Sequence, residues 1–185
     1  MRRLITIILT LATIIIVLPR SPEKDLINHH SYYPEAPPLD SIVEAIHLQY
    51  DTYRSQKHGI SLNLATSIRV AATAEGIPLP LAFSLVQIES TFNSMAVSHA
   101  GAIGLTQVMP ATGRAHCSLS KRDLYAPADN LACGFSYLRM LYDRTGQWYT
   151  ALASYNVGDA RRIRAHLTGE PDGSVYANAV INASD

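Results

Sequence analysis

Apolar positions along this chain recur with the period of a helix. In SIVEAIHLQYDTY, 41 to 53, Ile42, Ile46, Tyr50 and Tyr53 fall at helical spacing, and Ser41 with Glu44 forms the pattern of a capping box. SLNLATSIRVAATAEG, 61 to 76, places Leu64, Ile68, Ala71 and Ala72 on one side, with Gly76 as a stop. A third helix is predicted from Pro80 through Glu89. ADNLACGFSYLRMLYDRTG, 128 to 146, repeats the period and ends in Gly146, and WYTALASYN, 148 to 156, is a shorter candidate. No stretch alternates in the manner of a strand, and no internal repeat is present. The expected fold class is all-α.

The ends of the chain read differently. MRRLITIILTLATIIIVLPRS opens with Arg2 and Arg3, followed by an apolar run from Leu4 to Leu18. That is the pattern of a secretory signal, short of the roughly 20 apolar residues of a bilayer span. The run ends without a small-x-small cleavage site. A cleaved signal, a retained membrane anchor and a buried N-terminal helix all stay open; in the first two cases the rest of the chain lies outside the cytoplasm. Five of the ten prolines fall between 19 and 38, so 19–40 reads as an extended tether. The expected boundaries are a signal or anchor at 1–18, a proline-rich linker at 19–40, one domain at 41–170 and a C-terminal tail at 171–185.

Composition narrows the function. A hydrophobic fraction of 48% is that of a chain with a core. Fifteen basic and fifteen acidic side chains cancel, so no global field points to nucleic acid as a partner. In an exported chain the two cysteines, Cys117 and Cys133, invite a disulfide, with two reduced core thiols as the alternative. Their spacing to His99 and His116 matches no metal-ligand template, and neither a metal nor an organic cofactor is expected.

The most informative stretch is LVQIESTFN, 85 to 93. On a helical wheel Glu89 lies between Leu85 and Val86 and over Ala82, with Ser84 and Gln87 opposite. A carboxyl on that face loses water and sits near a helix C-terminus. Both effects raise its pKa, as a general acid requires. A glutamate at a fraying helix end followed by a glycine turn is the plainer reading of the same stretch. The segment AGAIGLTQVMP, 100 to 110, then supplies small residues for close backbone approach, an amide at Gln107 and a flexible apolar surface at Met109.

ESTFNSMAVSHAGAIGLTQVMPAT, DLYAPADNLACGFSYL and ALASYNVG together resemble the catalytic domain of the soluble lytic transglycosylase type, a lysozyme-like family acting on peptidoglycan. The blocks stand in family order over residues 60 to 165. The resemblance implies a lysozyme-like helical domain with Glu89 as the single catalytic acid and Ser90 completing the pair. Ser98, Gln107 and Met109 match positions that contact the glycan or its N-acetyl group. Tyr155 matches the tyrosine that holds the catalytic carboxyl, with Asn156 beside it. Ser154 and Asp159 depart from the commoner alanine and proline, which leaves rim contacts and substrate preference open. SVYANAVI, 174 to 181, is only loosely similar to a closing family helix.

Glycosidases commonly use two carboxylates. Asp123, Asp129, Asp143 and Asp159 are the nearby acids, and none is embedded in apolar sequence as Glu89 is. A one-carboxylate mechanism with substrate assistance is therefore expected, on peptidoglycan glycan strands and in the periplasm or cell envelope. The rivals are a lysozyme-type hydrolase and a non-catalytic glycan-binding or assembly module. RRIR, 161 to 164, reads as a solvated helix face or an anionic-surface contact. The short tethered design suits a secretion or conjugation machine at the inner membrane, general wall turnover or a phage alike.

Overall fold

The computed structural model describes residues 37–158, 165 and 172–184. The apolar segment 1–18, most of the linker, the RRIR run and Asp159 lie outside the described residues. Seven helices are described: α1 (Leu39–His58), α2 (Leu62–Ala74), α3 (Leu79–Ser90), α4 (Pro110–Cys117), α5 (Pro127–Thr145), α6 (Trp148–Val157) and α7 (Ser174–Ser184), with one 3-10 turn at Asp123–Tyr125. The described residues contain no strand, only the isolated bridges Val97 to Ile103 and Ile103 to Val108.

Helix α3 is the centre. Leu81 through Val86 are all buried, so this helix is enclosed almost all round at its middle, as a sequence apolar but for Ser84 requires. Ser84, placed on the outer face by the wheel, is buried with them. Helices α2 and α7 pack on α3, and α5 packs on α2 and α6. Ile68 and Ala72 of α2, Leu131, Phe135 and Leu138 of α5, and Ala151 and Leu152 of α6 close one continuous core. The Ser61 hydroxyl accepts from the Leu64 amide at 3.2 Å and starts α2. Residues 174–184, expected as a tail, form a helix. Its Ala177 and Val180 are buried in the same core, and burial of these two small apolar side chains docks the segment.

Helix α1 departs most from the sequence pattern. It begins at Leu39, directly after Pro38, two residues before the expected cap. Ser41 therefore sits inside the first turn and donates to the Pro38 carbonyl at 2.7 Å, and no capping box with Glu44 forms. Ile42, Ile46 and Tyr53 are exposed and Tyr50 only partly buried. The residues α1 buries are Asp51 and Arg54. Asp51 pairs with Arg69 of α2 at 2.8 Å and accepts from Thr66 at 2.9 Å. The Arg54 guanidinium lies over the rings of Tyr50, Tyr53 and Phe83. Hydrophobic periodicity cannot find a face whose burial is secured by ion pairing and ring stacking.

A smaller core of Ile103, Val108, Leu124 and Cys133 underlies the glycine-rich segment. Cys117 and Cys133 are joined as a disulfide that ties α4 to α5 across a sequence separation of 16. Closing a loop of that size stabilises by about 3 kcal/mol in the chain-entropy model. Reduction should therefore lower the urea unfolding free energy by about 3 kcal/mol. An unchanged midpoint in reductant would contradict this account.

Candidate active site

The last turn of α3 carries Glu89. The helix stops there because Thr91 and Phe92 both take left-handed backbone, at φ of 51° and 62°. Glu89 is half-buried beside the fully buried Leu85 and Val86. Burial pushes its carboxyl up to about 7, and a hydrogen bond from the Tyr176 hydroxyl to Oε1 opposes part of that rise. No neighbouring carboxylate among the described residues contributes to the shift. The Tyr176 phenol is itself raised well above its ordinary value, first by burial and then by the Glu89 charge. In this pair the phenol keeps its proton and the carboxyl titrates.

Tyr155 does not hold the acid. Its hydroxyl donates to the Thr106 carbonyl at 2.8 Å. The phenol is raised, first by burial and then by the nearby Glu89 charge. The partner of the carboxyl comes instead from α7, 87 positions along the chain from Glu89. Only the weak block SVYANAVI pointed there, and the segment containing it was expected to be a tail.

Of the other predicted residues, Ser90, Ser98 and Gln107 meet at the turn 103–108 or its entry. Ser90, next to the acid, donates to the Leu105 carbonyl at 2.8 Å and to Val86 of its own helix at 3.1 Å. The Ser98 hydroxyl accepts from the Ala102 amide at 3.0 Å and fixes the entry to the turn. Gln107 sits at φ 50°. Its Nε2 donates to the Gly104 carbonyl at 2.9 Å and to the Ala96 carbonyl at 3.3 Å. Met109 caps α4 and is 41% exposed, an apolar surface presented to solvent. Asn156 is exposed at the end of α6, one residue beyond Tyr155.

Three of the four acids considered as second carboxylates, Asp123, Asp129 and Asp143, have other work or none at the site, and Asp159 lies outside the described residues. Asp123 accepts from the Ser120 amide at 2.8 Å in a turn. Asp143 pairs with Arg139 on the outer face of α5, and Asp129 is exposed in the first turn of that helix.

What the residue pattern did not reveal is why the turn keeps its shape. Asn130 and Thr106 are both buried, and the Asn130 carboxamide is fully engaged. Oδ1 accepts from the Thr106 amide at 2.8 Å and hydroxyl at 2.7 Å, and Nδ2 donates to the Ile103 and Leu124 carbonyls at 2.8 and 2.9 Å. A Cβ on Gly134 would lie 2.2 Å from the Thr106 hydroxyl. A Cβ on Gly104, at φ 79°, would lie 2.3 Å from the Asn130 amide nitrogen. Both positions require glycine for close approach.

Glu89 makes stability depend on pH with a definite sign. Its folded-state value of about 7 exceeds the ordinary 4.5. The folded protein thus binds this proton more tightly than the unfolded chain. The stabilisation is complete below pH 4.5 and is lost as pH rises toward 7. Glu89→Gln removes the titration. It should raise the unfolding free energy by about 3 kcal/mol at pH ~8 and leave it nearly unchanged at pH ~4. Urea titrations at the two pH values check this, and an equal effect at both would contradict it.

The model of the transglycosylase SLT domain matches residues 66–170. A membrane-bound lytic murein transglycosylase C of Haemophilus influenzae (strain PittGG) is 35% identical over 125 residues, covering 59% of this chain and 35% of the relative. Its namesake in Histophilus somni (strain 2336) is 37% identical over 113 residues, covering 52% and 31%. The chain thus spans about a third of the length of these curated relatives. Among solved structures, an inactive glutamate-to-glutamine mutant of lytic transglycosylase Slt from Pseudomonas aeruginosa superposes with a TM-score of 0.55 at 25% identity, over 64% of this chain and 22% of that one. The 70 kDa soluble lytic transglycosylase of Escherichia coli shares the fold with a TM-score of 0.51 at 22% identity, over 75% and 26%. Between Glu89 at the end of a buried helix, the 103–108 turn beneath it and a family match over more than half its length, this chain belongs to the transglycosylase SLT domain family.

Proposed function

We propose that this chain is a lytic transglycosylase of the murein glycan strand, with Glu89 as its one acid–base group. The observation that carries the reading is the environment of that carboxyl. It is half-buried and partly desolvated, its pKa is raised to about 7, and among the described residues no second carboxylate influences it. Such a group is protonated near neutrality and can donate. The names of the relatives, lytic murein transglycosylases, supply the substrate class. The inactive Pseudomonas aeruginosa mutant, in which a glutamate is replaced by glutamine, supports a glutamate as the working group.

The mechanism follows from having a single carboxyl. Glu89 protonates the glycosidic oxygen between N-acetylmuramic acid and N-acetylglucosamine, and the bond from that oxygen to C1 breaks. The substrate's own acetamido group stabilises the cation developing at C1, as in substrate-assisted glycosidases. The Glu89 carboxylate then takes the proton from the muramyl C6 hydroxyl, whose oxygen closes on C1. The product is a 1,6-anhydro end, no water is consumed, and Glu89 regains its proton. Tyr176 steadies the carboxyl through both transfers. Ser98, Gln107 and Met109 line the glycan path, and Asn156 lies at its rim beside Tyr155. The relatives are named membrane-bound, which supports action at the cell envelope, with residues 1–18 as signal or anchor.

Glu89→Gln should lower the turnover of purified sacculi by roughly 10²–10⁴-fold, the usual worth of a general acid. Wild-type turnover should fall as pH rises through about 7, where Glu89 loses its proton. Mass spectrometry of the released muropeptides should find the anhydro form, one water lighter than a hydrolysis product. Hydrated ends alone would mean a lysozyme-type hydrolase. Sacculi cleared equally fast by the variant would remove Glu89 from the mechanism.

A further inference from the structure

The turn 103–108 supplies two backbone carbonyls to the neighbourhood of the acid. The Leu105 carbonyl accepts from Ser90, the residue after Glu89, and the Thr106 carbonyl accepts from Tyr155, whose phenol feels the Glu89 charge. The turn closes on itself through paired bonds between Ile103 and Val108, both at 3.0 Å. A turn of that kind has no helix or sheet to hold it at a fixed height above α5. From α5, Asn130 ties it there. Asn130, 1% exposed, spends both donors and both acceptor positions on Thr106, Ile103 and Leu124. The Thr106 hydroxyl also reaches back to the Asn130 carbonyl at 3.1 Å. Gly104 and Gly134 permit this close approach, because a Cβ on either would collide with Asn130 or Thr106.

We propose that Asn130 is a positioning residue for the proton-transfer steps: by fixing the turn 103–108 it sets where the Leu105 and Thr106 carbonyls hold Ser90 and Tyr155 beside Glu89. The inference rests on the lytic reading above and extends it to a residue remote from the sugar. Asn130 is buried under the turn and does not touch substrate. Its contribution therefore falls mainly on the geometry of the reacting complex, and reaches glycan affinity only through Gln107 of the same turn. Loss of this tie lets the turn shift by a fraction of an ångström. Displacements of that order at an acid–base site lower turnover without altering the groups that bind. Asparagine suits the position chemically. An aspartate of the same shape would present a buried negative oxygen to the Ile103 and Leu124 carbonyls, and an aliphatic residue would deprive the Thr106 amide and the Leu124 carbonyl of this buried partner.

The test uses the full chain and defined glycan strands, with kcat and KM measured separately. Thr106→Val keeps the side-chain outline and deletes only the hydroxyl that binds Asn130. It should fold cooperatively and lose roughly tenfold in kcat, with KM within about twofold of wild type. Thr106→Ser restores the hydroxyl and should recover most of that loss. Asn130→Asp should lose roughly 100-fold in kcat; if it fails to fold, the Thr106 pair decides alone. Wild-type kcat in Thr106→Val, a loss confined to KM, or no recovery in Thr106→Ser overturns the proposal while the lytic reading stands. A wild-type chain that releases no anhydro product overturns the lytic reading, and this inference with it.

Discussion

A carboxyl group deprived of water, with a single phenol for company, is the constraint around which this domain is arranged. Glu89 stays protonated near neutrality only while Leu85, Val86 and the surrounding helices keep solvent away. That demands a helix buried round most of its circumference, which is why α3 is apolar from Leu81 to Val86 and packed by α2 and α7. It also demands an abrupt stop. The consecutive left-handed residues Thr91 and Phe92 end the helix one residue after Ser90, so the acid stands at the negative end of the helix dipole. Burial and dipole act in the same direction, and the Tyr176 hydroxyl moderates them.

The polar framework beneath the acid follows a different logic. Buried amides and carbonyls must be paired, and the turn 103–108 has too few partners within itself. The spacing of Asn130 and Gly134 within DLYAPADNLACGFSYL is explained by this need. Asn130 and Gly134 lie one helical turn apart on α5, the first supplying a carboxamide and the second an absence of side chain, and Thr106 fits between them. The disulfide from Cys117 to Cys133 braces the same helix toward α4, whose N-cap is Met109.

Much of this was legible in the residues. The helices at 62–74, 79–90, 127–145 and 148–157 follow their hydrophobic period closely, because each buries an apolar face. The raised pKa of Glu89 followed from its place on the wheel between Leu85 and Val86. Helix α1 was misread for the converse reason: its buried face is Asp51 and Arg54, and periodicity treats charges as outward. The assignment of Tyr155 to the carboxyl failed because a motif fixes which residues are near a site and not which oxygen each hydroxyl finds. Tyr155 and Tyr176 both sense the Glu89 charge, but only Tyr176 donates to it. No local pattern could have selected Tyr176, since the contact is made by the packing of α7 on α3.

That long separation has a consequence for the order in which the protein comes into being. Glu89 and its phenol partner stand 87 positions apart, and the partner lies in the last dozen residues of the chain. A nascent polypeptide therefore carries Glu89, and every block of the family resemblance, before the segment that bears Tyr176 has been made. The acid acquires its phenol partner only afterwards, when α7 docks on α3.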